Sequence, residues 1–331
     1  MPCFVSAIKR RLEKDRSPGQ YLLTGSQQWE VMKHLSESLT GRAVFLELYA
    51  FSEQELSGQS TSPPWLERYL DSKATLQDFS LPKVSPALYE RLWRGSLPEA
   101  QFLDLQDLAL FFESYLRTYV ERDLRLMGEV SNWDLFGRFY RLAAAMSGQE
   151  INYSQLGREL GLNPQTAKAW LALLKAGFQW REVPAYTGNL IKRLSNKAKG
   201  YLMDTGLLCS AQAISSPQAL GAHPLKGALF ETFVYLELLK QVQQLNTKPV
   251  FYHWRSHSGA EVDLVLERDA KLYPIEIKCK SRPTLKDGKS LQSFAELYPK
   301  QYIGRSLILS AGEEIYALRP DLWVLPWWVV L

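Results

Sequence analysis

The chain has 331 residues, 46% hydrophobic and 22% charged, with a formal net charge of +4. That is ordinary globular material, long enough for two or three domains with real cores, and its mild basicity permits a nucleic-acid partner without arguing for one. Cys3, Cys209 and Cys279 form no CxxC pair, so neither a disulfide framework nor a thiolate zinc site is indicated, which suits a reducing cytoplasm. The start, MPCFVSAIKRRLEKDRS, lacks the apolar core of a signal peptide, and no run is long enough to span a membrane.

Residues 4–14 predict an amphipathic helix ended by Ser17-Pro18-Gly19, with a strand QYLLTGS directly after it. A small polar group at a strand end is ordinarily a turn or a helix cap. Here, however, YLLTGSQ and then SESLTGRAVFLELYAFSEQEL resemble the last third of the core of an AAA-type ATPase family of bacteria and archaea. The resemblance implies that Thr24 or Ser26 matches a polar sensor at the γ-phosphate, and that Arg42 matches a phosphate-sensing or finger arginine. The departure from that family is large. No G-x-x-x-x-G-K-[ST] occurs, no apolar strand ends in Asp-Glu, and Gly288-Lys289-Ser290 is a decoy because the first glycine of a phosphate loop would fall on Pro283. The chain reads as N-terminally truncated, starting after the phosphate-binding half, and no ATP binding or ATPase activity is expected of it alone.

Residues 60–150 read as helical, with a Pro-rich opening at TSPPW and a turn in GSLPEAQF; Phe111, Tyr115, Phe136, Phe139 and Tyr140 recur at core-facing intervals. The segment FFESYLRTYVERDLR resembles the helix after the lid of the same ATPase family. In NYSQLGRELGLNPQTAKAWLALLKAGF, Asn152 is placed to cap one helix, Gly161 to end it, and Asn163-Pro164 to open a second, a helix-turn-helix rhythm. This leaves Gln165, Thr166 and Lys168 outward near the second helix's start. Two strands about Thr187-Gly188-Asn189 would make a wing, with Arg193, Lys197 and Lys199 beside it as candidate phosphate contacts to DNA. The block resembles the winged helix of the same family, in which such modules also serve as joints or protein-binding units.

The stretch EVDLVLERDAKLYPIEIKCK alternates with a period of two, placing Val262, Leu264 and Leu266 on one face and Ile275, Ile277 and Cys279 on one face of a partner strand. A turn at Asp269-Ala270, or over the four residues Arg268 to Lys271, gives the same register and sets Asp263 opposite Glu276. Two like charges so placed are destabilising unless something positive stands between them. Mg²⁺ or Mn²⁺ suits an oxygen-only pair, and Lys278 would stand beside it. Asp263, then Glu276-Ile277-Lys278, resembles the PD-(D/E)xK nuclease core; the resemblance implies a further acid on the preceding helix, for which Glu231 in GALFETFVYLELLK is placed. His253 and His257 stand in a strand-to-loop segment that would not align them as zinc ligands.

The expected fold class is a multidomain α/β chain: a piece of a P-loop AAA core (1–60), a helical lid-like region (61–140), a winged helix (141–210) and a PD-(D/E)xK restriction-endonuclease-like domain (211–331). The expected function is metal-dependent DNA phosphodiester cleavage, with Asp263, Glu276 and Glu231 on the metal and Lys278 at the nucleophile. Two alternatives stay open: a non-catalytic adaptor for DNA or protein, and a partner or remnant of an ATP-driven enzyme. Expected partners are DNA and an intact ATPase relative or a second copy of the chain, with no membrane.

Overall fold

A computed structural model describes residues 2–24, 41–58, 62–71, 73–79, 87–118, 130, 132–189, 193 and 196–330. Helix α1 (Pro2–Lys14) is closed by a turn in which Gly19 adopts φ +78, a value that favours glycine. The strand expected at QYLLTGS is not found in its described part, and residues 43–49 are likewise assigned to no strand. Cross-strand contacts are what stabilise an extended segment, and here Leu22, Val44, Leu46 and Leu48 stay exposed. Thr24 and Arg42 are exposed too, while Ser26 lies outside the described residues.

Among the described residues, helices α2 (Glu53–Leu56), α3 (Trp65–Leu70), α4 (Leu88–Arg94), α5 (Leu105–Tyr115) and α6 (Trp133–Ala145) follow. The expected turn after α4 is made by Gly95 at φ +67, where an added Cβ would meet the Asp204 carboxylate at 2.4 Å. Phe136, Phe139 and Tyr140 are buried as their spacing requires. Of the charges in the ERDLR segment, Glu121, Arg122, Asp123 and Arg125 lie outside the described residues, and Arg117 is an exposed partner of Glu113 at 3.1 Å.

Next come α7 (Tyr153–Arg158) and α8 (Pro164–Ala176), each capped as its sequence predicts. The Asn152 side chain accepts from Gln155 N at 3.2 Å, Asn163 accepts from Thr166 N at 2.7 Å, and Gly161 turns at φ +67. A small antiparallel sheet of β1 (Gln149–Glu150), β2 (Trp180–Val183) and β3 (Lys199–Leu202) runs in the order β1-β3-β2. Strands β2 and β3 flank Thr187–Asn189 and pair antiparallel, Val183 with Lys199 and Trp180 with Leu202, but a long connection and not a tight turn joins them. The intervening loop docks instead on the edge of the large sheet. Ala185 bridges His253, Tyr186 N donates to His253 O at 2.6 Å, and His253 N donates to Pro184 O at 3.0 Å.

After α9 (Thr205–Ala211) and α10 (Pro217–Ala222), the long helix α11 (Lys226–Val242) packs across a mixed six-stranded sheet. Its strands are β4 (Val250–Arg255), β5 (Glu261–Arg268), β6 (Lys271–Lys278), β7 (Ser306–Ser310), β8 (Tyr316–Arg319) and β9 (Leu322–Pro326), in the order β4-β5-β6-β7-β9-β8. Strands β6 and β7 are parallel and joined through α12 (Lys289–Leu297), which covers the opposite face. The sheet is thus buried on both sides, and its strands read as nearly continuous apolar runs. Among the described residues no helix is long and apolar enough to cross a membrane.

Helix α11 also carries buried polar groups that tether the start of the chain. Glu237 accepts from Glu53 N at 2.9 Å and from Lys240 Nζ at 2.6 Å; Lys240 in turn donates to Phe51 O at 2.8 Å, and Gln241 accepts from Leu66 N at 2.9 Å. Burial, and after it the charge of Glu237, pushes the Glu53 carboxyl up to about 7, against the pull of Arg91 and Lys240. An acid raised in the folded state holds a proton that the unfolded chain has released, so its contribution to stability falls as pH rises from its ordinary 4.5 to about 7. Glu53→Gln is therefore expected to lose less melting temperature than the wild type between pH 5 and pH 8, as read by circular dichroism. A parallel pH dependence of the two would contradict this.

Candidate active site

The hairpin β5–β6 pairs Leu264 with Ile275 and Arg268 with Lys271, the expected register, around a two-residue loop. Asp269 and Ala270 both have positive φ, +52 and +59, as the tight primed turn of a hairpin requires. At the other end the alternation breaks. Between the pairs Tyr252–Val265 and Trp254–Val262, the two residues Asp263 and Leu264 of β5 oppose the single His253 of β4. This is a β-bulge, which re-aims side chains. Val262 consequently packs with Val265 under α12, while Leu264 and Leu266 pack under α11. The single face expected for Val262, Leu264 and Leu266 is corrected accordingly.

The bulge also changes the expected pairing of Asp263 with Glu276. The β5–β6 ladder ends at Leu264–Ile275, and Asp263 Oδ2 accepts from Ile277 N at 2.8 Å, taking the place of a backbone acceptor. Lys278 Nζ stands 4.0 Å from that same oxygen and also contacts Glu276 Oε1. The other Glu276 oxygen accepts from Ser290 Oγ at 3.1 Å, in the first turn of α12. Asp263, Glu276 and Lys278 are therefore together, with only the lysine a third exposed.

Glu231 is held elsewhere. Its Oε1 accepts from Lys199 Nζ at 2.7 Å and from Tyr201 OH at 2.7 Å. Lys199 Nζ also reaches Glu261 Oε1 at 3.1 Å and Asp263 Oδ1 at 3.2 Å. The order of groups is Glu231, Lys199, Asp263, Lys278, Glu276. The Lys199 ammonium thus lies between Glu231 and Asp263, in contact with both. Among the described residues, no group of three or more His, Cys, Asp or Glu side chains is arranged to hold a metal ion.

The electrostatics follow from burial. Burial and the neighbouring Asp263 push Glu276 up to about 8, against Lys278 and Ser290; the same two causes push Glu231 up to about 7, against Lys199 and Tyr201. For Lys199, burial alone would favour the neutral amine, but Glu231, Asp263 and Glu261 outweigh it and hold the ammonium. With all groups ionised, four carboxylates face two ammonium groups and leave a charge of −2. A two-carboxylate seat at Asp263 and Glu276, reached past Lys278, fits a hard divalent cation that keeps several waters.

The candidate DNA contacts divide in two. Gln165, Lys168 and Lys197 are exposed and Thr166 is half-buried. Arg193 and Lys199 are turned inward. Arg193 binds Glu267 at 2.8 Å and lies 4.2 Å from the centre of the Tyr186 ring, and Lys199 is 1% exposed. His253 is buried with Nε2 3.0 Å from Lys197 O, and His257 is exposed. Sequence reasoning missed the buried contacts of Lys199, and with them Glu261, Tyr201 and Ser290. A period of two across Lys199 and Tyr201 was the one available signal for the first of these.

Residues 1–57 match the AAA domain family, which gives the N-terminal part of the chain an AAA-type relationship. Residues 85–218 and 226–330 match two domains of unknown function, DUF8612 and DUF4143. Uncharacterized proteins of Mycobacterium bovis and Mycobacterium tuberculosis are each 28% identical over 328 residues. The match covers 98% of this chain but 66% of those relatives, so the chain spans just under two thirds of their length. A solved assembly of Thermococcus gammatolerans McrB AAA+ hexamers with bound McrC aligns over 96% of this chain and 87% of that one, at 12% identity and a TM-score of 0.26, from which no fold is inferred.

Proposed function

We propose that the hairpin site acts on DNA phosphodiesters with a divalent cation, in a protein related to AAA-type ATPases. The observation that carries this reading is the insertion of Asp263 at the bulge beside Glu276 and Lys278, where the carboxylates of the surrounding cluster outnumber its ammonium groups. Asp263 and Glu276 are the residues that would hold Mg²⁺ or Mn²⁺, and the ion when bound would supply charge stabilisation at a phosphoryl oxygen. Asp263 is kept in place by Ile277 N and Glu276 by Ser290, so both carboxylates are oriented before any ligand arrives. Lys278 is the exposed member, placed to stabilise an attacking water or the developing negative charge.

In the same reading, Gln165, Thr166 and Lys168 at the start of α8 and Lys197 are the DNA-facing groups. The element order helix, strand, two helices, strand, strand supports a winged-helix assignment for residues 141–210, with its wing loop used as a joint to the large sheet. Any nucleotide-driven step would come from polypeptide that carries a phosphate loop.

A second reading, a non-catalytic adaptor, is favoured by one specific observation: Lys199 already pairs with Glu231, Glu261 and Asp263. Incubation of the purified chain with supercoiled plasmid and branched DNA in Mg²⁺ or Mn²⁺ separates the two. Cleavage by the wild type, falling at least about a hundredfold in Lys278→Ala, is the expected result. Undiminished cleavage by the variant would remove the proposed role of Lys278, and no cleavage by either protein would favour the adaptor.

A further inference from the structure

The carboxylates of the hairpin site are met by a cation from a different part of the fold. Lys199 lies on the central strand of the small sheet, and its ammonium crosses to α11 through Glu231 and to β5 through Glu261 and Asp263. Asp263 is thus gripped on both oxygens, one by Ile277 N and the other by Lys199. Tyr201, two residues along on the same side of β3, donates to the Glu231 oxygen that Lys199 also holds. A lysine buried this deeply is costly to desolvate, and good geometry to several acids is what sustains it.

We propose that Lys199 is a positioning residue of the site, an internal counter-cation that holds Asp263 and Glu231 and against which a divalent cation at Asp263 and Glu276 must compete. The proposal rests on the cation-dependent reading above. Lys199 and the divalent ion share Asp263, so the two positive charges repel at short range in a partly dry setting. Removing the lysine charge therefore strengthens cation binding by about tenfold or more. It also frees Asp263 on one side, and turnover slows while binding improves. General structural damage would weaken both.

The test is Mn²⁺ titration of the full chain by electron paramagnetic resonance, comparing wild type with Lys199→Met and Lys199→Arg, alongside cleavage of plasmid DNA. Lys199→Met is expected to bind Mn²⁺ at least about tenfold more tightly, and Lys199→Arg, which keeps the charge, within about twofold of wild type. Where Lys199→Met is too weakly folded for titration, the rise in melting temperature on adding Mn²⁺ replaces it, and a larger rise than in the wild type is expected. Equal or weaker binding by Lys199→Met, an equal or smaller rise, or no binding by any of the three overturns the role given to Lys199. A wild type that cleaves while Lys199→Met binds no more tightly removes only this inference. A wild type that does not cleave, beside a tighter-binding Lys199→Met, removes the nuclease reading and leaves this one standing.

Discussion

Asp263→Ala is expected to destabilise the fold by about 3–5 kcal/mol, the range for breaking a buried ion pair by removing one partner. The loss has two sources. Ile277 N would lose the acceptor it now reaches at 2.8 Å, and the Lys199 ammonium would lose one of its three carboxylates. Asp263→Asn separates them, because the amide oxygen still accepts from Ile277 N while the charge is gone; it should cost less than half as much. Urea denaturation followed by circular dichroism reads both. Equal losses in the two variants would show that the charge, and not the backbone contact at the bulge, holds this end of the hairpin.

Glu237→Ala is the second large effect, again about 3–5 kcal/mol. Glu237 is fully buried and binds both Lys240 Nζ and Glu53 N. Without it, a buried ammonium keeps the Phe51 carbonyl but loses its direct carboxylate partner, and residues 51–56 lose a main tether to α11. Limited proteolysis should then cut within that segment before the rest of the chain, while urea unfolding reports the stability loss. A variant as resistant as the wild type would show that the apolar contacts of the neighbouring helices suffice.

Much of the local structure was legible because short-range chemistry decides it. The caps at Asn152 and Asn163, the end of a helix at Gly161 and the hairpin register are set by residues within a few positions of one another. The bulge at Asp263 was not legible, since it depends on how β4 meets β5 and no residue of β5 marks it in the sequence. The length of the connection between β2 and β3 was not legible for a similar reason: its start gains backbone hydrogen bonds with His253, a partner more than sixty residues away. The strand expected at QYLLTGS had an apolar run but has no partner strand among the described residues.

In the site, residue types were easier to find than their grouping. Asp263, Glu276 and Lys278 come together, but Glu231 is drawn to Lys199, a residue that looked like one more basic group beside a wing. Only the packing of the small sheet on α11 shows that its ammonium points inward. Ser290, set aside with a false phosphate-loop match, proves to orient Glu276.

The most direct test of the central claim is an anomalous difference map from crystals soaked in Mn²⁺. A peak between the carboxylates of Asp263 and Glu276, absent from crystals of Asp263→Asn, is predicted; a map with no peak there, or with one that persists unchanged in the variant, would contradict the cation-dependent site.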